Sequence, residues 1–202
     1  MHPSYFPSIA HMVSIAIAEE VIFEVEDNYQ KQTYRNRSHI AHTNGRLLLN
    51  VPIKHSKDGR RQKTKDVFVE NSFPWQSQHW KSLQTAYRTS PYFEFYEDDL
   101  EPLFNKPVEK LMDHNLEIFS VISELIGLDV HTSQTDQYEV NTNYFDLRSL
   151  VVSKSEKEQS FSSYTQVFQA NHGFLPNLSI LDLLFNEGPN TLDYLEEQKL
   201  VL

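Results

Sequence analysis

Cysteine is missing from all 202 residues. Its absence excludes a disulfide frame, a thiolate zinc site, a cysteine-held cluster and a cysteine nucleophile. Glycine is nearly as scarce, with five scattered through the chain. None falls in the G-x-x-x-x-G-K or G-x-G-x-x-G spacing that cradles phosphates, nor in the G-x-S-x-G turn that presents a serine nucleophile. No cofactor is legible. Long apolar runs are lacking too: the most apolar opening, Ile9 to Ala18, is broken by His11 and Ser14 and has no basic leader. Neither a membrane span nor export is expected, and the expected location is cytoplasmic. The nine histidines form no H-x-x-x-H or H-x-x-E-H pair, and His39 and His42 fall in a strand-and-turn region. No metal site is expected.

What is present is a core. Apolar residues make up 39% of the chain, with thirteen Phe, ten Tyr and two Trp, which is more than a disordered chain carries and enough for one domain. Charge is distributed unevenly. Residues 31 to 65 hold ten of the eighteen basic groups against Asp58 alone, a local +9, leaving eight basic against twenty-seven acidic groups elsewhere. An acidic body with one basic segment does not fit a nucleic-acid binder, whereas it fits a protein that receives a phosphate-bearing small molecule. The same segment, with Gly59 in the middle of Lys54 to Lys65, is equally explained as a solvated hairpin tip.

Periodicity divides the chain. Ile9, Met12, Val13, Ala16 and Ile17 predict a helix capped by Ser8. Val21 to Val25 predicts a buried strand, and Arg37 to Ala41, Asn44-Gly45 and Leu47 to Ile53 predict a hairpin. Lys65 to Glu70 reads as one more strand. Trp75, His79, Leu83 and Tyr87 recur every four residues as a helix; Pro91 starts another, and a third runs from Pro107 to Ile126 with Gly127 as its stop. Residues 131 to 163 are polar, and Lys154 to Ser163 reads as mobile. The closing stretch from Gly173 predicts a short buried helix capped by Asn177 and stopped at Gly188-Pro189. The expected fold is α/β: a single domain over residues 1–202 with a small mixed sheet covered by helices. An irregular polar segment at 131–163 would separate the body, 1–130, from an ordered C-terminal cap at 164–202.

The candidate chemistry lies in polar groups standing where apolar ones belong. His79 shares a helix face with Trp75 and Leu83, which places its imidazole inward as a neutral base or as a core histidine bonded to a carbonyl. Asn115 interrupts the stripe between Leu111 and Ile118 in the same way. Asp27, Gln30, Lys31, Asn36 and Arg37 form a polar run after a buried strand, where Arg37 has the fork geometry for phosphate or carboxylate. Turn chemistry and a strand-flanking ion pair account for the same run. Tyr5 and Tyr92 carry phenols able to donate to a developing oxyanion, or serve as core.

An ordered series of short elements carries a resemblance. Tyr5-Phe6-Pro7, Asn36-Arg37 with Ile40, Asn44-Gly45 leading to Leu49-x-Val51-Pro52-Ile53, Trp75 with His79, Tyr87, Pro91-Tyr92-Phe93-x-x-Tyr96 and Leu111-x-x-x-Asn115 together resemble the WbqC-like family over residues 3 to 130. The ending Gly173 to Asn186 is similar to a branch common in Bacteroidetes. Departures are a start of only Met1 and His2 before Pro3, where the family has a strand, and Tyr34 where a Trp is frequent. The resemblance implies a setting in bacterial surface-polysaccharide synthesis. The expected function is group transfer in surface-glycan or amino-sugar synthesis on a phosphate- or nucleotide-activated substrate. Lys31, Arg37, Arg60 and Arg61 would hold the phosphates, and His79 would act as the base. Asn36, Asn115 and Tyr92 would position the acceptor, with Asp27, Gln30 and Tyr5 as orienting groups. The rival is a non-catalytic nucleotide-sugar- or partner-binding protein.

Overall fold

The computed structural model describes residues 1–54 and 61–201. Helix α1, Ile9–Ala16, begins where Ser8 in extended conformation accepts from the His11 amide through its side chain, one of the bonds that make serine a favoured cap. Ile9, Met12 and Val13 are buried as the spacing predicts. The helix stops one residue short of Ile17, which is left 58% exposed.

Two ladders make up the β layer. Strand β1, Glu20–Phe23, pairs in parallel with β4, His131–Gln134, while β2, Arg37–His42, and β3, Gly45–Asn50, form an antiparallel hairpin. Both kinds of pairing are therefore present, in an α/β domain of small β content. Strand β4 reads His-Thr-Ser-Gln and is mostly exposed; without an apolar alternation it gave no period-2 signal. Strand β3 ends at Asn50, short of the expected Ile53, and Pro52 lacks the amide to continue a ladder. The strand expected at Lys65 to Glu70 is a 3₁₀ turn at Thr64–Asp66. Phe68 and Val69 follow it, each making a single bridge, to Lys110 and Ile53.

Helices cover these ladders. Helix α2, Trp75–Tyr87, buries Trp75, His79, Leu83 and Tyr87, the predicted face. Helices α3, Phe93–Leu100, and α4, Pro102–Asn105, follow. Helix α5, Leu111–Ile126, buries Leu111, Met112, Ile118 and Ile122 and ends at Gly127 with φ 70°, a left-handed position that costs glycine no Cβ clash. It starts four residues later than predicted because Lys110 is held extended against Phe68. Each such side chain taken fully from water contributes about 1.5–3 kcal/mol.

After the short helix α6, Gln169–His172, helix α7, Ile180–Glu187, is capped by Ser179. Asn177, the expected cap, adopts φ 55° and accepts from the Ala10 amide at 2.7 Å, tying α7 to α1. Helix α7 stops at Gly188 as predicted; a Cβ there would stand 2.5 Å from the Tyr92 ring. A further helix, α8, Thr191–Glu197, packs with α7 against α1. Within residues 154–163, expected to be mobile, Phe161 is buried and the Gln159 side chain bonds the Val201 backbone at both its amide and its carbonyl. Asp182 on α7 is wholly buried and accepts from Tyr87 at 2.8 Å, Tyr164 at 2.5 Å and Gln166 at 2.8 Å.

Candidate functional site

The sequence-predicted residues separate into an interior cluster, a surface group and positions that join neither. In the interior, just past the carboxyl end of β1, Asp27 Oδ2 accepts from Arg35 Nη2 at 2.5 Å. Arg35 is 1% exposed and is the largest fully buried side chain. Its Nη2 also lies 2.9 Å from His2 Nε2. Burial, aided by the Arg35 charge, pushes His2 down to about 2, so this ring is neutral and accepts. Asn115 Nδ2 donates to the Arg35 carbonyl at 2.7 Å and reaches the Pro3 carbonyl at 3.4 Å. Asn115 thus clamps the chain start and the residue 35 turn onto α5. Asp27 Oδ1, Arg35 Nε and Asn115 Oδ1 are buried without protein partners.

Asn50, at the end of β3, gathers three predicted residues. Its Oδ1 accepts from Asn36 Nδ2 at 3.3 Å and from Arg37 Nε at 3.3 Å, and its backbone carbonyl stands near enough to the His79 ring to favour a proton there. Tyr5 Oη lies 2.8 Å from His79 Nδ1. Burial raises the Tyr5 phenol, which therefore stays protonated. Burial pushes His79 down to about 4, so this ring is neutral. One ring nitrogen is engaged, by Tyr5. A buried, neutral imidazole held in this way is compatible with both readings of His79, the core histidine and the neutral base.

The remaining predicted residues stand apart. Tyr92 is packed on Gly188 at the end of α7, with its amide donating to the Phe185 carbonyl. Gln30, Lys31 and Arg61 are exposed, and Arg60 lies outside the described residues. Much of the basic segment is neutralised internally: Lys63 and Lys65 both pair with Glu26, and Arg35 pairs with Asp27.

What stays available is the outer face of the hairpin. Opposed residues of an antiparallel pair share a face, and the register Arg37↔Asn50, His39↔Leu48, Ala41↔Arg46 puts Arg37, His39 and Arg46 on one side. Ser38, Ile40 and Leu49 on the other side are buried. Both arginines lie close enough to disfavour a proton on His39, whose lowering is caused first by burial, then by Arg46 and Arg37. His39 Nδ1 and the Tyr34 hydroxyl are buried beneath this face without a hydrogen bond; burial and the nearby Glu156 carboxylate raise the Tyr34 phenol, and the two rings meet edge to face with centroids 5.9 Å apart. Arg46 reaches Glu156 at 3.6 Å and donates to the Pro176 carbonyl at 2.8 Å, while no carboxylate among the described residues pairs with Arg37. The sequence counts Arg46 in the basic segment and marks His39 and Tyr34 as polar candidates, without joining the three on one face. The signal was present, since a two-residue turn at Thr43-Asn44 fixes the register that aligns them.

A cleft of about 1080 Å³ lies elsewhere, between the end of α1, the edge of β1 and residues 133–148. Among the described residues, no group of three His, Asp or Glu side chains has the geometry to hold a metal ion. No helix among them is long and apolar enough to cross a membrane.

The model of the WbqC-like protein family matches residues 2–163 and 155–194. The chain belongs to the WbqC-like family. This bears out the resemblance carried by Tyr5-Phe6-Pro7, Asn36-Arg37 and the later elements. Similar among curated proteins is the uncharacterized protein Rv1507c of Mycobacterium tuberculosis (strain ATCC 25618 / H37Rv). It is 26% identical over 219 residues, covering 95% of this chain and 94% of the relative. No solved structure matches.

Proposed function

We propose that this WbqC-like protein binds a phosphate-bearing small molecule of bacterial surface-glycan or amino-sugar synthesis, a nucleotide sugar in a cytoplasmic setting, on the outer face of the β2–β3 hairpin. The observation that carries the reading is the register that sets Arg37 and Arg46 on the same face of the hairpin, on either side of His39. The two guanidiniums supply donors in the fork geometry suited to phosphate oxygens. Asn50, already drawn to Arg37, sets the approach of that fork. Glu156 beside Arg46 is the chain's own carboxylate at this position, and an incoming phosphate competes with it.

Binding without catalysis is preferred here to group transfer, because the expected base is buried and one of its ring nitrogens is held by Tyr5. Asn115 is committed to Arg35, and Tyr92 packs elsewhere. The test is calorimetric titration with UDP-N-acetylglucosamine, dTDP-glucose and UMP, with chromatography of each mixture after incubation. Saturable binding with unchanged ligand supports the reading. Consumption of a nucleotide sugar would restore group transfer, and absence of binding to all three ligands would remove the phosphate site.

A further inference from the structure

The cleft beside β1 shares none of its lining with the hairpin face and has its own architecture. Its outer wall is a loop built around Arg148. That guanidinium holds Asp146 through Nε at 2.9 Å and Nη2 at 2.7 Å, donates to the Glu139 and Val140 carbonyls at 2.7 and 3.0 Å, and lies 5.2 Å over the Tyr138 ring. A bidentate carboxylate, two carbonyls and a ring face use the whole fork. These bonds tie the loop together, and it presents Tyr144 and Phe145 on the cleft wall at 67% and 77% exposure. Large aromatic side chains held this far out of a core mark a place where something docks.

The polar part of the same wall selects the ligand. Gln134, Gln137 and Thr142 offer neutral donors and acceptors. Five carboxylates, from Glu20, Glu24, Asp136, Glu139 and Asp146, line the cleft. Met1 with its amino group and Lys199 line it too, but with the Arg148 fork already filled the carboxylates outnumber the remaining cations and disfavour a phosphate or any other anion. A wholly apolar ligand would strip water from these amides and carboxylates without replacing it. A polyhydroxylated ring satisfies both halves: its hydroxyls donate to carboxylates and exchange hydrogen bonds with amides, while its C–H faces lie on Tyr144 and Phe145. From this pairing of an aromatic wall with uncharged and anionic acceptors, we infer that the cleft is a saccharide-binding site, separate from the anion site on the hairpin.

The experiment is calorimetric titration of the full chain with maltotriose, tri-N-acetylchitotriose and the deacetylated chitotriose. At least one binds with a dissociation constant of about 1 mM or tighter. The double variant Tyr144→Ala/Phe145→Ala loses at least tenfold in affinity, with an unchanged circular dichroism spectrum because both rings are exposed. Gln137→Ala, which leaves both rings in place, weakens the same saccharide several-fold. An Arg37→Ala/Arg46→Ala variant binds it as the native chain does, so failure of the hairpin reading and failure of this one are told apart. Three results would overturn the inference: no trisaccharide binding at about 10 mM, native affinity in the aromatic double variant, or binding of oligolysine where no trisaccharide binds.

Discussion

Arg35 and Arg37 stand two residues apart in the same basic segment and occupy opposite environments. Arg35 is sealed in the interior with Asp27 and His2 around it. Arg37 lies on the outer face of the hairpin with an amide oxygen as its partner. Removing a charge from the first region exposes a desolvated partner, while removing one from the second leaves water to fill the place. The comparison teaches that the interior cluster holds the fold together and that the hairpin face is free to hold something else.

The widest test of this contrast is acid. Burial pushes His11, His79 and His114 down to about 4 and His2 to about 2, while an unfolded histidine titrates near 6.5. The unfolded chain therefore takes up protons that the folded chain refuses, so the histidine contribution to stability is constant well above pH 6.5 and is lost as the pH drops from 6.5 toward 4. Each of the three rings contributes on the order of 2–3 kcal/mol to that fall. Urea titrations across this range should show the chain unfolding near pH 4 to 5; a midpoint independent of pH between 7 and 4 would contradict the neutral interior.

Next in size is Asp27→Ala, which leaves the Arg35 guanidinium buried without its carboxylate. A loss of about 3–5 kcal/mol by denaturant unfolding is expected. Smaller is Tyr5→Phe, which removes the hydroxyl bonded to His79 Nδ1 and is expected to cost about 1–3 kcal/mol while leaving nucleotide-sugar affinity unchanged. A tenfold change in affinity at native stability would move His79 back into the site. Smallest in stability is Arg37→Ala/Arg46→Ala, expected within about 0.5 kcal/mol of the native chain. A large destabilisation there would erase the distinction between the two regions.

How much of this was legible follows the same line between inside and outside. The stripes of α1, α2 and α5 and the existence of the hairpin were readable because apolar spacing reports burial and Asn44-Gly45 marks a turn, although the turn itself is Thr43-Asn44 and Gly45 opens the next strand. Strand β4 was not, since a polar edge strand leaves no pattern. Helix α8, with Leu195 buried among polar neighbours, gave little more. Composition marked residues 31 to 65 as basic and placed Asp27, Asn36, Arg37 and Asn115 among its polar exceptions. It had no means to tell which arginine would be enclosed, because Arg35 reaches its partners across the fold from residues 2, 27 and 115. His79 was correctly placed on the inward face, and its hydrogen bond to Tyr5, seventy-four residues earlier, is what only coordinates supply.

The most direct measurement is calorimetric titration of UDP-N-acetylglucosamine into the native chain and into Arg37→Ala/Arg46→Ala at two salt concentrations. Saturable binding that weakens with salt in the native chain, and falls at least tenfold in the variant at equal stability, is the predicted result. Equal affinity in the two proteins would contradict the claim that the hairpin face receives the phosphates.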